Sequence, residues 1–171
     1  MPAQDQGLAH SKDRYHLIPR VLCFVTAGDE VLLLKGAPHK KIWAGKYNGL
    51  GGHVERGETV HAAAVREIDE ESGVPIANLR LRGVVTIDTG QAAAGIGLFV
   101  FTAEALSRET RASSEGTLEW VRAADLPALN VVEDLPTLLP FVLGRPLHAP
   151  PFSAQYRYDD NQRLVITFDS E

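Results

Sequence analysis

The stretch that decides the fold is Gly52-His53-Val54-Glu55-Arg56-Gly57-Glu58, resumed at Arg66-Glu67-Ile68-Asp69-Glu70-Glu71-Ser72-Gly73-Val74. Between its halves Val60, Ala63, Ala64 and Ile68 recur at three- and four-residue spacing, which predicts a helix over Thr59 to Ser72 with one apolar stripe. Gly73 supplies a left-handed cap, Val74 is placed to fold back on the last turn, and Pro75 blocks continuation. Ahead of the helix, Tyr47-Asn48-Gly49-Leu50-Gly51-Gly52 is too rich in glycine for a stiff strand and suits close backbone approach.

The acids of this helix need a reason. At about 100° per residue, Glu67, Glu70 and Glu71 share an arc of roughly 100°, one turn apart. Three carboxylates on one face repel each other, and the helix C-terminus is itself negative, so the arrangement gains nothing for folding unless a cation sits among them. Oxygen-only ligands select a hard cation, magnesium or manganese, over zinc. No His/Cys cluster competes.

Working outward, Arg20 to Thr26 and Val31 to Leu34 are apolar strands joined at Ala27-Gly28-Asp29-Glu30, a hairpin. A loop spans Gly36 to Lys46. Strands follow at Leu79 to Asp88, Ile96 to Thr102 and Leu118 to Val121, with a polar loop over Ser107 to Gly116. Asp134 to Leu143 is expected to be a second helix, with Pro136 in its first turn and a kink at Pro140. The tail from Gln155 to Phe168 reads as a hairpin turning at Asp159-Asp160-Asn161. Residues 1–15 read as a polar N-terminal leader and 16–171 as a single domain carrying this C-terminal hairpin. Mixed strands with one strong helix predict an α+β fold.

The 171 residues suffice for one core, and 44% hydrophobic with 23% charged residues is an ordinary globular balance that argues against wholesale disorder. A net charge of −5 argues against a protein that wraps a nucleic acid polymer, because no basic field is available to release counterions. An acidic protein that handles polyphosphates would need a cation between itself and its substrate. Cys23 is the single cysteine, so no internal disulfide forms; its apolar flanks mark it as a buried small hydrophobe, and a cytoplasmic location is expected. No signal peptide or membrane-length apolar run is present.

Gly52 to Val74 resembles the Nudix box at every position: glycine, five residues, glutamate, seven residues, then Arg-Glu-aliphatic-any-Glu-Glu-any-Gly-aliphatic. Seven identities and two apolar positions would coincide by chance about once in 10⁹ starting positions, so an incidental acidic helix face is not competitive. The resemblance implies an α/β/α sandwich around a mixed β-sheet, with Glu67, Glu70 and Glu71 and the Gly52 carbonyl as ligands of Mg2+ (Mn2+ as substitute). It implies that Arg66 orients a glutamate by an ion pair, and that Glu58 stabilises the loop or binds metal through water; a helix-dipole role for Glu58 is the alternative. The general base is assigned to Glu70 or to an acid outside the box.

Two further regions resemble the MutT-type branch. Asn48 matches an asparagine that hydrogen-bonds the purine, although a plain Asn-Gly turn would look the same. Glu115, with Glu119 as fallback, is the extra metal ligand or base; Trp120 reads as core packing. Glu133 and Asp134 fall near an acidic pair that recognises oxidised purine, or else cap the second helix. The tryptophan that stacks on the base there is Val131 or Val132 here, with Phe141 or Tyr47 as candidate replacements. Lys46, with Lys40 and Lys41, could meet phosphates.

The expected reaction is magnesium-dependent hydrolysis of a nucleoside triphosphate, with oxidised purine nucleotides as one candidate, to monophosphate and pyrophosphate. Dinucleoside polyphosphates or nucleotide sugars are the alternative substrates, and a nucleotide-sensing domain without catalysis is the non-enzymatic alternative. A nucleotide is the expected partner, of a monomer or homodimer.

Overall fold

Strand β1 (His16–Ala27) carries the apolar run that both layers of the molecule share. Val21, Cys23 and Val25 point to one face and pack with Ala63, Ala64 and Ile68 of helix α1 (Val60–Ser72). Leu22 and Phe24 point to the other and pack with Leu135, Leu138, Leu139 and Val142 of helix α2 (Leu135–Gly144). A strand buried on both faces reads as a continuous apolar run, not an alternating one, and that is the pattern here.

The computed structural model describes residues 14–169, so the leader expected over 1–15 lies outside the described residues apart from Arg14 and Tyr15. Strands β2 (Glu30–Gly36), β3 (Tyr47–Asn48), β4 (Ile76–Ile87), β5 (Ala94–Ala105), β6 (Gly116–Arg122), β7 (Phe152–Tyr158) and β8 (Leu164–Phe168) join β1 in one sheet. Its order is β3-β2-β1-β5-β4-β7-β8, with β6 paired to β2. The β1–β5 and β4–β7 pairs are parallel, and the β1–β2, β2–β3, β2–β6, β4–β5 and β7–β8 pairs antiparallel. The α+β sandwich with a mixed sheet is therefore the observed architecture.

Helix α1 starts at an N-cap Thr59 whose side chain accepts from the Ala62 amide, and ends at Gly73 with φ 67°, whose N–H reaches the Asp69 carbonyl. Helix α2 survives Pro140 because four aliphatic side chains are each 0% exposed. Burial at roughly 1.5–3 kcal/mol per side chain outweighs a proline cost of about 3 kcal/mol. The carbonyls at and beyond its C-terminus converge on Arg82, a buried guanidinium that donates to Arg145 O at 2.8 Å and Pro146 O at 3.2 Å. Among the described residues no helix is long and apolar enough to cross a membrane.

Several strands are longer than the sequence suggests. β1 begins at His16, not Arg20, because His16 to Pro19 pair in register with Ala94 to Gly97 although their side chains are exposed. Exposed residues leave no hydrophobic period to read. Pro19 fits since its carbonyl, not a missing N–H, is used, accepting from the Val54 amide at 3.1 Å. β5 extends beyond Ile96–Thr102 into Ala94-Gly95 and Ala103-Glu104-Ala105, where small residues carry little β-propensity. The C-terminal hairpin begins at Phe152, and a 3₁₀ helix at Ala123–Ala128 was not foreseen.

The hairpin docks where β4 has no side chain. A Cβ at Gly83 would lie 2.4–2.5 Å from ring atoms of Phe152, its register partner in β7. Gly83→Ala is thus expected to destabilise by about 1–3 kcal/mol in chemical denaturation, and adding Phe152→Leu should recover part of that loss. Unchanged stability in the single variant would contradict this packing.

Candidate active site

Close backbone approach by glycine seats the acids. The loop from Leu50 to Gly52 lies along β1 through Cys23 N→Leu50 O at 2.7 Å, Leu50 N→Cys23 O at 3.1 Å and Val21 N→Gly52 O at 2.9 Å. A Cβ at Gly51 would fall 2.1 Å from the Val21 carbonyl oxygen, and one at Gly52 would fall 2.4 Å from Glu67 Oε1. Only glycine lets this loop run between the strand and the acidic face of α1. The Gly51 amide then donates to Glu71 Oε2 at 2.9 Å.

Arg66 organises the rest. Its guanidinium donates to both oxygens of Glu58 (Nη2→Oε1 2.7 Å, Nε→Oε2 3.2 Å), to Glu67 Oε1 at 2.8 Å, to Glu70 Oε2 at 3.1 Å and to the His53 carbonyl at 3.0 Å. One cation among the carboxylates thus belongs to the chain itself. Glu58 is a partner of Arg66 and of the Glu55 amide, and precedes the N-cap instead of sitting in the first turn. Arg66 holds its carboxyl below the usual range.

Glu71 differs from its neighbours. It is 8% exposed, and burial raises its pKa to about 7, partly offset by the Gly51 amide and reinforced by Glu67. Among the described residues no three His, Cys, Asp or Glu side chains stand preassembled as a metal cluster. Arg66 ties Glu67 and Glu70, and the Gly51 amide ties Glu71. The donor set is nevertheless all oxygen, gathered at one glycine cradle, and so fits a hard divalent cation. The Gly52 carbonyl already accepts from Val21 and keeps one lone pair.

One cavity of about 1240 Å³ gathers Asn48, Lys46, Gly52, Arg66, Glu67, Glu70, Glu71, Glu115, Glu133 and Asp134. The sequence-derived candidates thus line one cavity. Asn48 Oδ1 accepts from the Gly49 amide at 2.8 Å, which leaves its amide hydrogens for the cavity. Glu115 forms an ion pair with Lys40, so neither is a free charge. Asp134 occupies the N-cap position of α2 without a side-chain capping bond, which removes the capping explanation for it. Burial pushes its carboxyl above the ordinary range.

Other candidates are spent elsewhere. The Tyr47 hydroxyl donates to Glu119 Oε2 at 2.8 Å, so the fallback acid serves a buried phenol. Phe141 stacks on Phe168 at 3.9 Å between centroids and meets Phe152 edge-on, so it packs the core instead of offering a face to a ligand. Trp120 packs against the α1-side core and donates to the Arg108 carbonyl at 3.1 Å. The aromatic residues that do line the cavity are Trp43, Tyr156 and Tyr158. Trp43, half-exposed with φ 63°, had a signal in its setting between lysines; the two tyrosines alternate along a strand far down the chain from the box acids and had none.

Comparison with known proteins agrees with this geometry. A family model described as the NUDIX domain matches residues 16–141. The chain is 24% identical over 133 residues to an oxidized purine nucleoside triphosphate hydrolase of Mus musculus, covering 78% of this chain and 83% of that one. It is 34% identical over 125 residues to the NAD-capped RNA hydrolase NudC of Salmonella typhi, covering 71% of this chain but only 46% of that longer protein. A crystal structure of the mMutator MutT protein from Bacillus halodurans superposes with TM-score 0.70 at 25% identity, covering 91% of this chain and 99% of that one.

Because the folded-state pKa of Glu71, about 7, stands above the ordinary carboxylate value, the folded protein holds a proton that the unfolded chain has lost. The sign follows: this group's contribution to stability declines as pH rises from the ordinary carboxylate range through about 7. In metal-free buffer, Glu71→Gln is therefore expected to raise the melting temperature at pH 8 by several degrees and to change it little at pH 5. Equal shifts at both pH values would contradict a buried, proton-hungry carboxyl.

Proposed function

The chain belongs to the Nudix family of hydrolases, and from that premise we propose that it cleaves a phosphoanhydride bond of a nucleoside triphosphate, releasing nucleoside monophosphate and pyrophosphate. The observation that carries this reading is the single cavity joining the box acids to Asn48, Glu133 and Asp134. A phosphate chain lying on the acids would put its base against the second group.

Glu67, Glu70, Glu71 and the Gly52 carbonyl are the residues that would hold magnesium, or manganese in its place. When bound, the ion neutralises phosphate oxygens and lowers the pKa of water. The chain's own residues do the remainder. Arg66 keeps Glu67 and Glu70 in place and is a positioning residue. Glu70, with its side chain 58% exposed, is the box acid best able to accept a proton from the attacking water. Glu115 would serve as the outer acid once phosphate draws Lys40 away, and Lys46 meets phosphate at the same wall. The relative acting on oxidized purine nucleoside triphosphates supports a purine substrate. We further propose one catalytic domain over 16–171 that includes the C-terminal hairpin, and a cytosolic setting in keeping with a buried, unpaired Cys23.

A second reading keeps the bond type and changes the substrate to a dinucleoside polyphosphate or another dinucleotide. It draws on two separate aromatic contributions to the cavity, Trp43 from the loop after β2 and Tyr156 with Tyr158 from the hairpin. A hydrolysis screen with magnesium over canonical and oxidised nucleotides, dinucleoside polyphosphates and nucleotide sugars separates the two. Glu70→Gln is expected to lower kcat on the preferred substrate by at least about 10²-fold with little change in stability. Turnover near the wild-type rate would remove Glu70 from the mechanism.

A further inference from the structure

The basic side chains that line the cavity of the box acids are Arg20, Lys40, Lys46 and Arg66, with His53 beside them. Arg66 is spent on Glu58, Glu67, Glu70 and the His53 carbonyl, and Lys40 is paired with Glu115. Arg20 is used differently. Its Nε donates to His53 Nε2 at 3.2 Å, and among the described residues no carboxylate forms an ion pair with it. Both of its Nη groups are left to meet a ligand. A merely solvated arginine keeps its rotamer freedom, whereas this one is tethered by an imidazole at the cavity.

The backbone fixes where the pair stands. Arg20 and His53 face each other across an isolated antiparallel bridge, so their side chains leave the same side of the sheet. By the two-residue alternation of β1 that side is also Leu22's, and the register partner of Arg20 in β5 is Leu98. Leu22, Leu98 and Ile96 line the apolar part of the cavity, which suits a base and its sugar. The next residue along, Val21, donates its amide to the Gly52 carbonyl at 2.9 Å, and Gly52 abuts the Glu67 carboxylate. Arg20 therefore stands at the junction between the apolar floor and the acids. In a nucleotide, the group at that junction is the phosphate bonded to the sugar. A guanidinium fork engages two phosphate oxygens at once, which the point charge of a lysine does not.

We propose that Arg20 binds the sugar-linked phosphate of the nucleotide, and that His53 is the positioning residue that aims its guanidinium. The inference deepens the nucleotide reading above and rests on it.

The test measures kcat/KM for the preferred nucleoside triphosphate in wild type, Arg20→Ala, Arg20→Lys, His53→Ala and the double alanine variant. Competitive inhibition by the matching nucleoside monophosphate and by the nucleoside is measured in the same proteins. Arg20→Ala is expected to lower kcat/KM at least about tenfold and to weaken inhibition by the monophosphate as much. Inhibition by the nucleoside, which has no phosphate, should stay within about twofold. Arg20→Lys should regain only part of the loss, because the fork is gone. Adding His53→Ala to Arg20→Ala should cost little more, since the imidazole acts through the guanidinium; fully additive losses would remove His53 from that role. Monophosphate inhibition that is absent in wild type or unchanged in Arg20→Ala overturns the inference while the nucleotide reading stands, as does equal weakening of monophosphate and nucleoside. Failure of wild type to hydrolyse any nucleotide defeats that reading and this inference with it.

Discussion

Arg66 sets the electrostatic terms on which the rest of the site is built. One guanidinium is shared among Glu58 in the preceding loop and Glu67 and Glu70 of α1, with Glu71 next along that helix. Bidentate contact with Glu58 fixes the planar group, and its three further bonds tie Glu67, Glu70 and the His53 carbonyl to it. Four acids against one guanidinium leave the patch negative. That residual charge is what a divalent cation would answer, and it explains why a helix tolerates acids near its negative end. Lysine could not replace this arginine, because a point charge on a flexible stem cannot hold three carboxylates in one plane.

The same economy runs through the backbone. Gly51 and Gly52 allow the loop to lie against β1, and that contact buries Glu71 and turns the Gly51 amide onto it. The proton affinity of Glu71 is therefore a consequence of packing, traceable to two missing side chains. On the other face of the sheet, β7 reaches the cavity because Gly83 leaves room for Phe152. The hairpin is thus positioned to bring Tyr156 and Tyr158 to the wall opposite in sequence from the acids. The box acids and the hairpin tyrosines, far apart in sequence, line one cavity of a sheet whose β1–β5 and β4–β7 pairs are parallel.

Local signals in the sequence were the legible ones. The helix stripe, its Gly73 stop and the acid spacing could be read directly, because each depends on neighbours within a turn. The hairpin of β1 and β2 was equally plain. The early start of β1 was not, since His16 to Pro19 are exposed and are held by register with β5, a partner far along the chain. Arg66 could be recognised as an ion-pair partner, but its reach across three acids is a tertiary fact. Phe141 and Tyr47 were offered as ring faces for a base, and both are consumed by packing. Tyr156 carried no signal at all: an alternating tyrosine in a strand reads the same whether it lines a core, a cavity or the solvent face.

The central claim is that the box acids, organised by Arg66 and the glycine loop, hold a divalent ion. Anomalous diffraction from a crystal grown with manganese addresses it most directly. A peak is expected within bonding distance of carboxylate oxygens of Glu67, Glu70 and Glu71 and of the Gly52 carbonyl, with Arg66 still bound to Glu58. A fully occupied manganese peak elsewhere, with the Arg66 contacts to Glu67 and Glu70 intact, would contradict it.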